Sequence, residues 1–212
     1  MRLGESFSVR VRAQFGCPQG FWGPIAGWIM GVRSSNRIRN VWAVSLLDVQ
    51  RCDRILEIGF GPGIAIREIS RVAVDGYVCG LDHSARMLHQ AARRNAAVIR
   101  EGRVDLRLGS VDNLPVFERP FDKILAVNTV MFWHHPDKSL EELRHLLRPG
   151  GRIAVAHQPR GPGVTDLTAM AMGTEMATKL TQAGFSGVRM ETLALKPAVV
   201  CAIGINQSEG HS

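Results

Sequence analysis

Three glycines, Gly59, Gly61 and Gly63, alternate in GFGPG directly after the apolar run ILEI, with Glu57 two residues ahead of the first. Glycines spaced this way let a chain turn sharply and bring its amides up to a ligand with no Cβ in between. Nineteen residues beyond Gly63, Asp82 closes a second apolar run, YVCGLD. That is close to the roughly 20-residue offset at which an acidic side chain meets ribose hydroxyls in open α/β sheets. Two carboxylate oxygens can accept from both vicinal hydroxyls at once. The third glycine of a dinucleotide fingerprint would fall at Ile64 or Ile66, and no G-x-x-x-x-G-K-[ST] loop occurs. The glycines therefore fit neither of those phosphate-cradling registers.

Two further stretches carry polar and aromatic groups in loops. In LGSVDNLP, residues 108–115, backbone N–H groups and a small polar side chain could meet the edge of a nucleobase, or the segment is simply a turn. In NTVMFWHHPD, residues 128–137, Asn128, Phe132, Trp133, His134 and His135 crowd together. An unperturbed imidazole pKa near 6.5 suits His134 or His135 to general-base work. Equally, His135-Pro136-Asp137 can open a helix with proline in its first turn. His157, in VAHQP, is a third histidine at the end of an apolar run. No carboxylate set surrounds residues 128–160, and Cys17, Cys52, Cys79 and Cys201 form no CxxC pair. Neither a metal site nor a disulfide framework is expected, and a reducing cytoplasm suits such cysteines.

The elements that must position these groups alternate in type. Apolar strand-like runs at 54–59, 77–82, 104–108, 122–128 and 152–157 are separated by helical patterns at about 63–74, 84–99 and 137–147. Such alternation is the signature of a doubly wound parallel sheet. RPGG at 148–151 stops a helix and turns the chain into the next strand. A helix from about Asp166 to Ala183 and two consecutive strands at 186–195 and 197–205 break the alternation, which predicts an antiparallel hairpin closing the sheet. Ahead of the sheet, Ile25, Trp28, Ile29 and Val32 mark one helix. Ser34-Ser35-Asn36 can then cap a second, with Ile38, Val41, Trp42, Ser45, Leu46 and Val49 on its apolar side.

Taken in order, Glu57 to Gly63, Asp82, GSVDNLP, FDKILAVNTVMFWHHPD and LRHLLRPGGRIAV resemble the class I S-adenosylmethionine-dependent methyltransferases, in particular the small-molecule type with a methyltransferase domain 11-like pattern. The resemblance covers residues 52–158, and the hairpin extends it to about 205. It implies a Rossmann-like, doubly wound seven-stranded α/β sheet, mostly parallel, with an antiparallel C-terminal hairpin and helices on both faces. It implies S-adenosylmethionine as cofactor and S-adenosylhomocysteine as product. Gly59, Gly61 and Gly63 would pack against the methionine part, Glu57 would help place its ammonium, Asp82 with His83 beside it would bind the ribose, and Met87 would lie near adenine. Ser110 stands where many members have an adenine-binding Asp, which shifts that contact to the Val111 backbone, with Asp112 as a substitute. Asn128 would complete the cofactor site. The acceptor pocket would draw on Trp22, Trp28, Phe132, Trp133 and His157.

Asn128-Thr129-Val130 is not the Asn/Asp-Pro-Pro-aromatic motif of some enzymes that methylate exocyclic nitrogen, which weighs against a nucleobase acceptor. The net charge of +7 would admit nucleic acid, yet the arginines are scattered, and only Arg33, Arg37 and Arg39 form a dense group. The expected acceptor is a small apolar or aromatic molecule methylated on O, N or C. The alternatives are a lipid or quinone met at a membrane surface, with Phe21, Trp22, Trp28 and Arg33 to Arg39 in contact with it, or a cofactor-binding module without turnover. No apolar run reaches the 18 to 20 residues of a bilayer crossing, and FWGPIAGWIMG lacks the features of a signal peptide. The expected division is an N-terminal extension over 1–50, either lid or core cover, a methyltransferase domain over 51–206 and a loose tail over 207–212.

Overall fold

The computed structural model describes residues 34–207. The first expected helix, with Trp22 and Trp28, lies outside the described residues. The second is α1, Ser34–Leu46. Of the expected apolar side, Trp42, Leu46 and Val49 pack against the core, but the most deeply buried line of the helix is a different one. Ala43, Val44 and Leu47 enter the core, continuing a line begun by Asn36, Arg39 and Asn40, whereas Ile38 and Val41 are 47% and 40% exposed. Counting apolar residues misplaces the stripe because half of the buried line is polar. Asn40 donates to Asn36 within the helix, and Arg39 donates to Asn36 and to the distant Gln158.

Seven strands follow in the order β3-β2-β1-β4-β5-β7-β6. β1 is Arg54–Ile58, β2 Tyr77–Asp82, β3 Val104–Leu108, β4 Phe121–Val127, β5 Leu147–His157, β6 Ser186–Leu193 and β7 Val199–Ile205. The first five are mutually parallel, and β7 lies antiparallel between β5 and β6. This is the seven-stranded, Rossmann-like sheet with an antiparallel C-terminal hairpin that the sequence implies. The central strands are buried nearly without interruption, as expected of a sheet covered on both faces.

The two cores follow from strand alternation. Ile55 packs with Leu47, Ile66, Ile69 and Leu125 on one face, and its neighbour Leu56 packs with Ile124, Leu140, Leu143 and Leu180 on the other. Each fully buried Leu or Ile contributes roughly 1.5–3 kcal/mol. α2, Ile64–Val72, and α3, Ala85–Arg94, supply Ile66, Ile69 and Ala91 to the first face; α5, Pro136–Leu146, and α6, Asp166–Gln182, supply Leu140, Leu143 and Leu180 to the second.

Three boundaries differ from the sequence expectation. The helix expected over 84–99 breaks at Asn95 into α3 and a short α4, Ala96–Arg100. Asn95 leaves helical geometry, and its amide donates to the carbonyls of Gly63, at 3.1 Å, and Ala91, at 2.9 Å. A side chain that competes for backbone groups in this way interrupts a helix. β5 starts at Leu147 rather than 152, because RPGG continues along the sheet: Leu147 pairs with Phe121, and Gly150 and Gly151 exchange bonds with Asn206. The hairpin strands are also shorter than expected, ending at Leu193 and beginning again at Val199.

Candidate functional site

The carboxyl ends of β1, β2, β4 and β5 lie along one edge of the sheet, and the loops that leave them hold nearly every group singled out in the sequence. After β1, Gly59, Gly61 and Gly63 all have positive φ, between 51° and 74°. Side chains rarely adopt that conformation. Space constrains two of the three. A Cβ on Gly59 would stand 2.7 Å from Cβ of Thr129, and one on Gly63 would stand 2.7 Å from Cβ of Ala91; at Gly61 nothing lies within 4 Å. The loop thus packs tightly at both ends and faces open space in the middle.

Asp82 fixes that loop from β2. Its Oδ2 accepts from the Gly61 N–H at 2.8 Å and its Oδ1 from the Ser84 N–H at 2.9 Å. Each oxygen keeps a second lone-pair site. Burial raises the Asp82 pKa and outweighs the two backbone bonds, which act in the other direction. Ser84 caps α3 by accepting from the Met87 N–H. The Met87 side chain is 3% exposed and belongs to the core, while His83 is exposed at the rim.

Glu57 is deeper still, 1% exposed, on the same face of β1 as Ile55. Its Oε2 is buried with no hydrogen-bond partner among the described residues. Burial first, then the nearby Asp82, raise its pKa well above the usual carboxylate range, against the pull of the Ile66 N–H. An orphaned carboxylate oxygen beside a second buried acid is an electrostatic demand for a cation.

A cleft opens between these groups and the loops after β3 and β4. Gly59, Asp82, His83, Ser110, Val111, Phe132 and Trp133 share its lining with Ile58, Leu81, Gly109 and Thr129. Its inner space is about 20 Å³, roughly what one water molecule needs. Trp133, 8% exposed, donates its Nε1–H to Thr129 Oγ1 at 3.3 Å. Thr129, the N-cap of the turn Val130–Phe132, packs against Gly59.

His134 stands outside this cleft. It is largely exposed, its Nδ1 lies 2.8 Å from Asp112 Oδ2, and its backbone N–H donates to Asp112 Oδ1 at 3.1 Å. Burial works to raise the Asp112 pKa, but bonds from His134, Ser110 and the His135 backbone overcome it and the net shift is downward. Asp112 is thus engaged by His134 and Ser110. His135 is the exposed N-cap of α5, with Pro136 in the first turn.

Across the edge, Asn128 adopts φ 55°, and its Oδ1 accepts from the Gln158 N–H at 2.7 Å, tying the end of β4 to the end of β5. Gln158 in turn accepts from Arg39 Nη1 at 2.7 Å and donates to the Pro197 carbonyl at 2.8 Å. Burial, then the charge of Arg39, push the His157 pKa down to about 4. His157 is therefore a neutral imidazole at pH 7. Sequence reading missed Asn40, Asn95 and Gln158, took Asn36 only as part of a helix cap, and took Arg39 only as part of a basic group. The spacing 36, 39, 40, continuing to 43, 44 and 47, was the available signal. Among the described residues no three metal-ligating side chains gather, and no helix is long and apolar enough to cross a membrane.

Comparisons with known proteins agree with this geometry. Residues 55–151 match the model of a family described as a methyltransferase domain. The chain is 32% identical over 179 residues to the uncharacterized methyltransferase YdaC of Bacillus subtilis, covering 84% of this chain and 96% of YdaC. The next curated relatives are matched over less of their length, the chain spanning 44%, 62% and 40% of them. Among solved structures, a SAM-dependent methyltransferase from Aquifex aeolicus superposes with TM-score 0.64 at 19% identity, over 84% of this chain and 96% of that one. A phosphoethanolamine N-methyltransferase of Haemonchus contortus, solved with S-adenosylhomocysteine, superposes with TM-score 0.64 at 14% identity, over 81% of this chain and 53% of that one.

Proposed function

Because the chain belongs to the S-adenosylmethionine-dependent methyltransferases, we propose that the loops after β1, β2 and β3 hold the donor and that a small molecule, bound over the ends of β4 and β5, accepts the methyl group. The observation that carries this reading is the pair of buried acids. Glu57 leaves an oxygen unpartnered beside Asp82, and the donor brings both a cationic ammonium and a ribose diol. Gly61, bonded through its N–H to Asp82, has open space where a side chain would stand.

When bound, the donor supplies a methyl group already activated by a sulfonium, so positioning and exclusion of water supply much of the acceleration. Asp82 would accept from ribose hydroxyls with its remaining lone pairs while keeping the loop in register through Gly61. Glu57 would meet the ammonium. Ser110 and the Val111 backbone would border the base. Phe132 and Trp133 would form the apolar wall between donor and acceptor, giving the acceptor an apolar or aromatic body. If the acceptor must lose a proton, His134 is the base, with Asp112 placed to stabilise the imidazolium. His157, with its low pKa, is suited to contact rather than proton uptake.

Calorimetric titration with S-adenosylmethionine, S-adenosylhomocysteine and NAD tests the donor site, with Asp82→Ala as the site variant. The first two should bind, NAD should not, and Asp82→Ala should lose at least about tenfold in affinity, the scale of one charge-assisted hydrogen bond. Unchanged affinity in Asp82→Ala would overturn the assignment.

A further inference from the structure

We infer that Arg39 binds a carboxylate on the methyl acceptor, so that the substrate class is a small organic acid. The inference rests on the reading above and refines its acceptor half.

Arg39 is 5% exposed, on the face of α1 that meets the end of β5. Its guanidinium donates to two neutral groups, Gln158 Oε1 and Asn36 Oδ1. A guanidinium has five N–H donors. The Nε–H is buried and has no partner among the described residues. No carboxylate of the described residues forms an ion pair with it, and what acts on its charge is unfavourable: burial first, then Arg160, which together lower its pKa to about 10. The adjacent His157 is neutral and adds no negative charge.

A latch holding α1 to Gln158 would not need this residue. The bond to Gln158 requires a donor but no charge, and buried charges without counter-ions are costly. The latch also leaves the Nε–H unexplained. A carboxylate answers both, since the Nε–H and a neighbouring Nη–H form a planar fork that fits two carboxylate oxygens side-on. Arg39 also lies where an acceptor would be read. Gln158, its partner, is bonded to Asn128 at the end of β4, and His157, which feels its charge, ends β5. The acids of the donor half, Glu57 and Asp82, end β1 and β2 instead.

The experiment titrates S-adenosylhomocysteine-loaded protein with benzoate, cinnamate and glycolate, each against its own amide, by calorimetry, in wild type, Arg39→Gln and Arg39→Lys. At least one acid should bind about 30-fold or more tightly than its amide, as for a buried hydrogen-bonded charge pair. Arg39→Gln should erase that preference, Arg39→Lys should keep part of it, and S-adenosylhomocysteine affinity should stay within about threefold. NMR titration of His157 supplies a readout that a purely structural role would not move: its pKa should rise when the acid binds, because the carboxylate offsets the Arg39 charge. This wild-type measurement stands even if the variants fold poorly. Acids and amides held equally, or none held, would overturn the inference. So would a tenfold loss of S-adenosylhomocysteine affinity in Arg39→Gln, which would give Arg39 to the donor's own carboxylate. Failure of S-adenosylhomocysteine to bind wild type appears before any acid is added and would overturn the donor assignment along with it.

Discussion

The glycine loop makes the sharpest test, because two of its residues share a backbone conformation and differ in surroundings. Gly61→Ala meets open space and a φ of 51°, so it should cost only the left-handed strain of about 1–2 kcal/mol. Gly59→Ala carries similar strain at φ 70° and also drives its Cβ to within 2.7 Å of Cβ of Thr129. Overpacking of that kind adds about 1–3 kcal/mol. For a domain of this size, each kcal/mol lowers Tm by about 2–4 °C. Thermal unfolding should therefore show a fall of about 2–8 °C for Gly61→Ala and about 4–20 °C for Gly59→Ala. Adding Thr129→Gly to Gly59→Ala removes every atom in the clash, and a double-mutant cycle should return about 1–3 kcal/mol, beyond the roughly 0.5 kcal/mol expected of independent sites. Binding should rank the two variants differently. The Gly61 methyl group enters the space assigned to the donor, so its loss of S-adenosylhomocysteine affinity should exceed its loss of stability. Equal destabilisation in both variants, or a cycle with no coupling, would refute the packing account of this loop.

Other perturbations read the electrostatics. Glu57 has a raised folded pKa, so its contribution to stability is fully present below the unfolded value of 4.5 and is lost as pH rises through the folded value. Glu57→Gln should match wild type near pH 4 in urea unfolding, exceed it at pH 7, and lose donor affinity. His157 is shifted the other way, from 6.5 to about 4, so its contribution is present above pH 6.5 and lost as pH falls. Between pH 7 and pH 5 wild type should lose about 2 kcal/mol through this group, and His157→Asn should remove that slope. His134→Ala breaks an exposed pair with Asp112 and should change stability by no more than about 1 kcal/mol. A fall in kcat without a change in donor affinity would then assign it to proton transfer, and an unchanged kcat would remove it from the chemistry.

The strands and their order were legible because a sheet buried on both faces writes long apolar runs between turn residues, and the glycine loop because positive φ restricts residue choice. The place of Asp82 at the end of β2, beside the glycine loop, was legible from its offset. Local periodicity failed where polar groups are buried. The inward face of α1 carries Asn36, Arg39 and Asn40, so the expected apolar side took in Ile38 and Val41, which face solvent, along with Trp42, Leu46 and Val49, which pack against the core. Asn95 reads as an ordinary helix residue until the Gly63 carbonyl, 32 positions away, is placed beside it. The Arg39–Gln158 bond spans 119 positions, and no local pattern marks it.

The place of β7 bears on how the chain is made. The strand lies inside the sheet, between β5 and β6, yet comes last of the seven. Emerging from a ribosome, β6 would find no pairing partner, and the flank of β5 would stay open until residues 199–205 were free. An open apolar strand edge is a site for intermolecular pairing, and pairing this late depends on chain already synthesised. A released chain truncated at residue 195 should therefore remain sensitive to protease across residues 147–193, whereas one carried past residue 206 should gain protection over both strands at once.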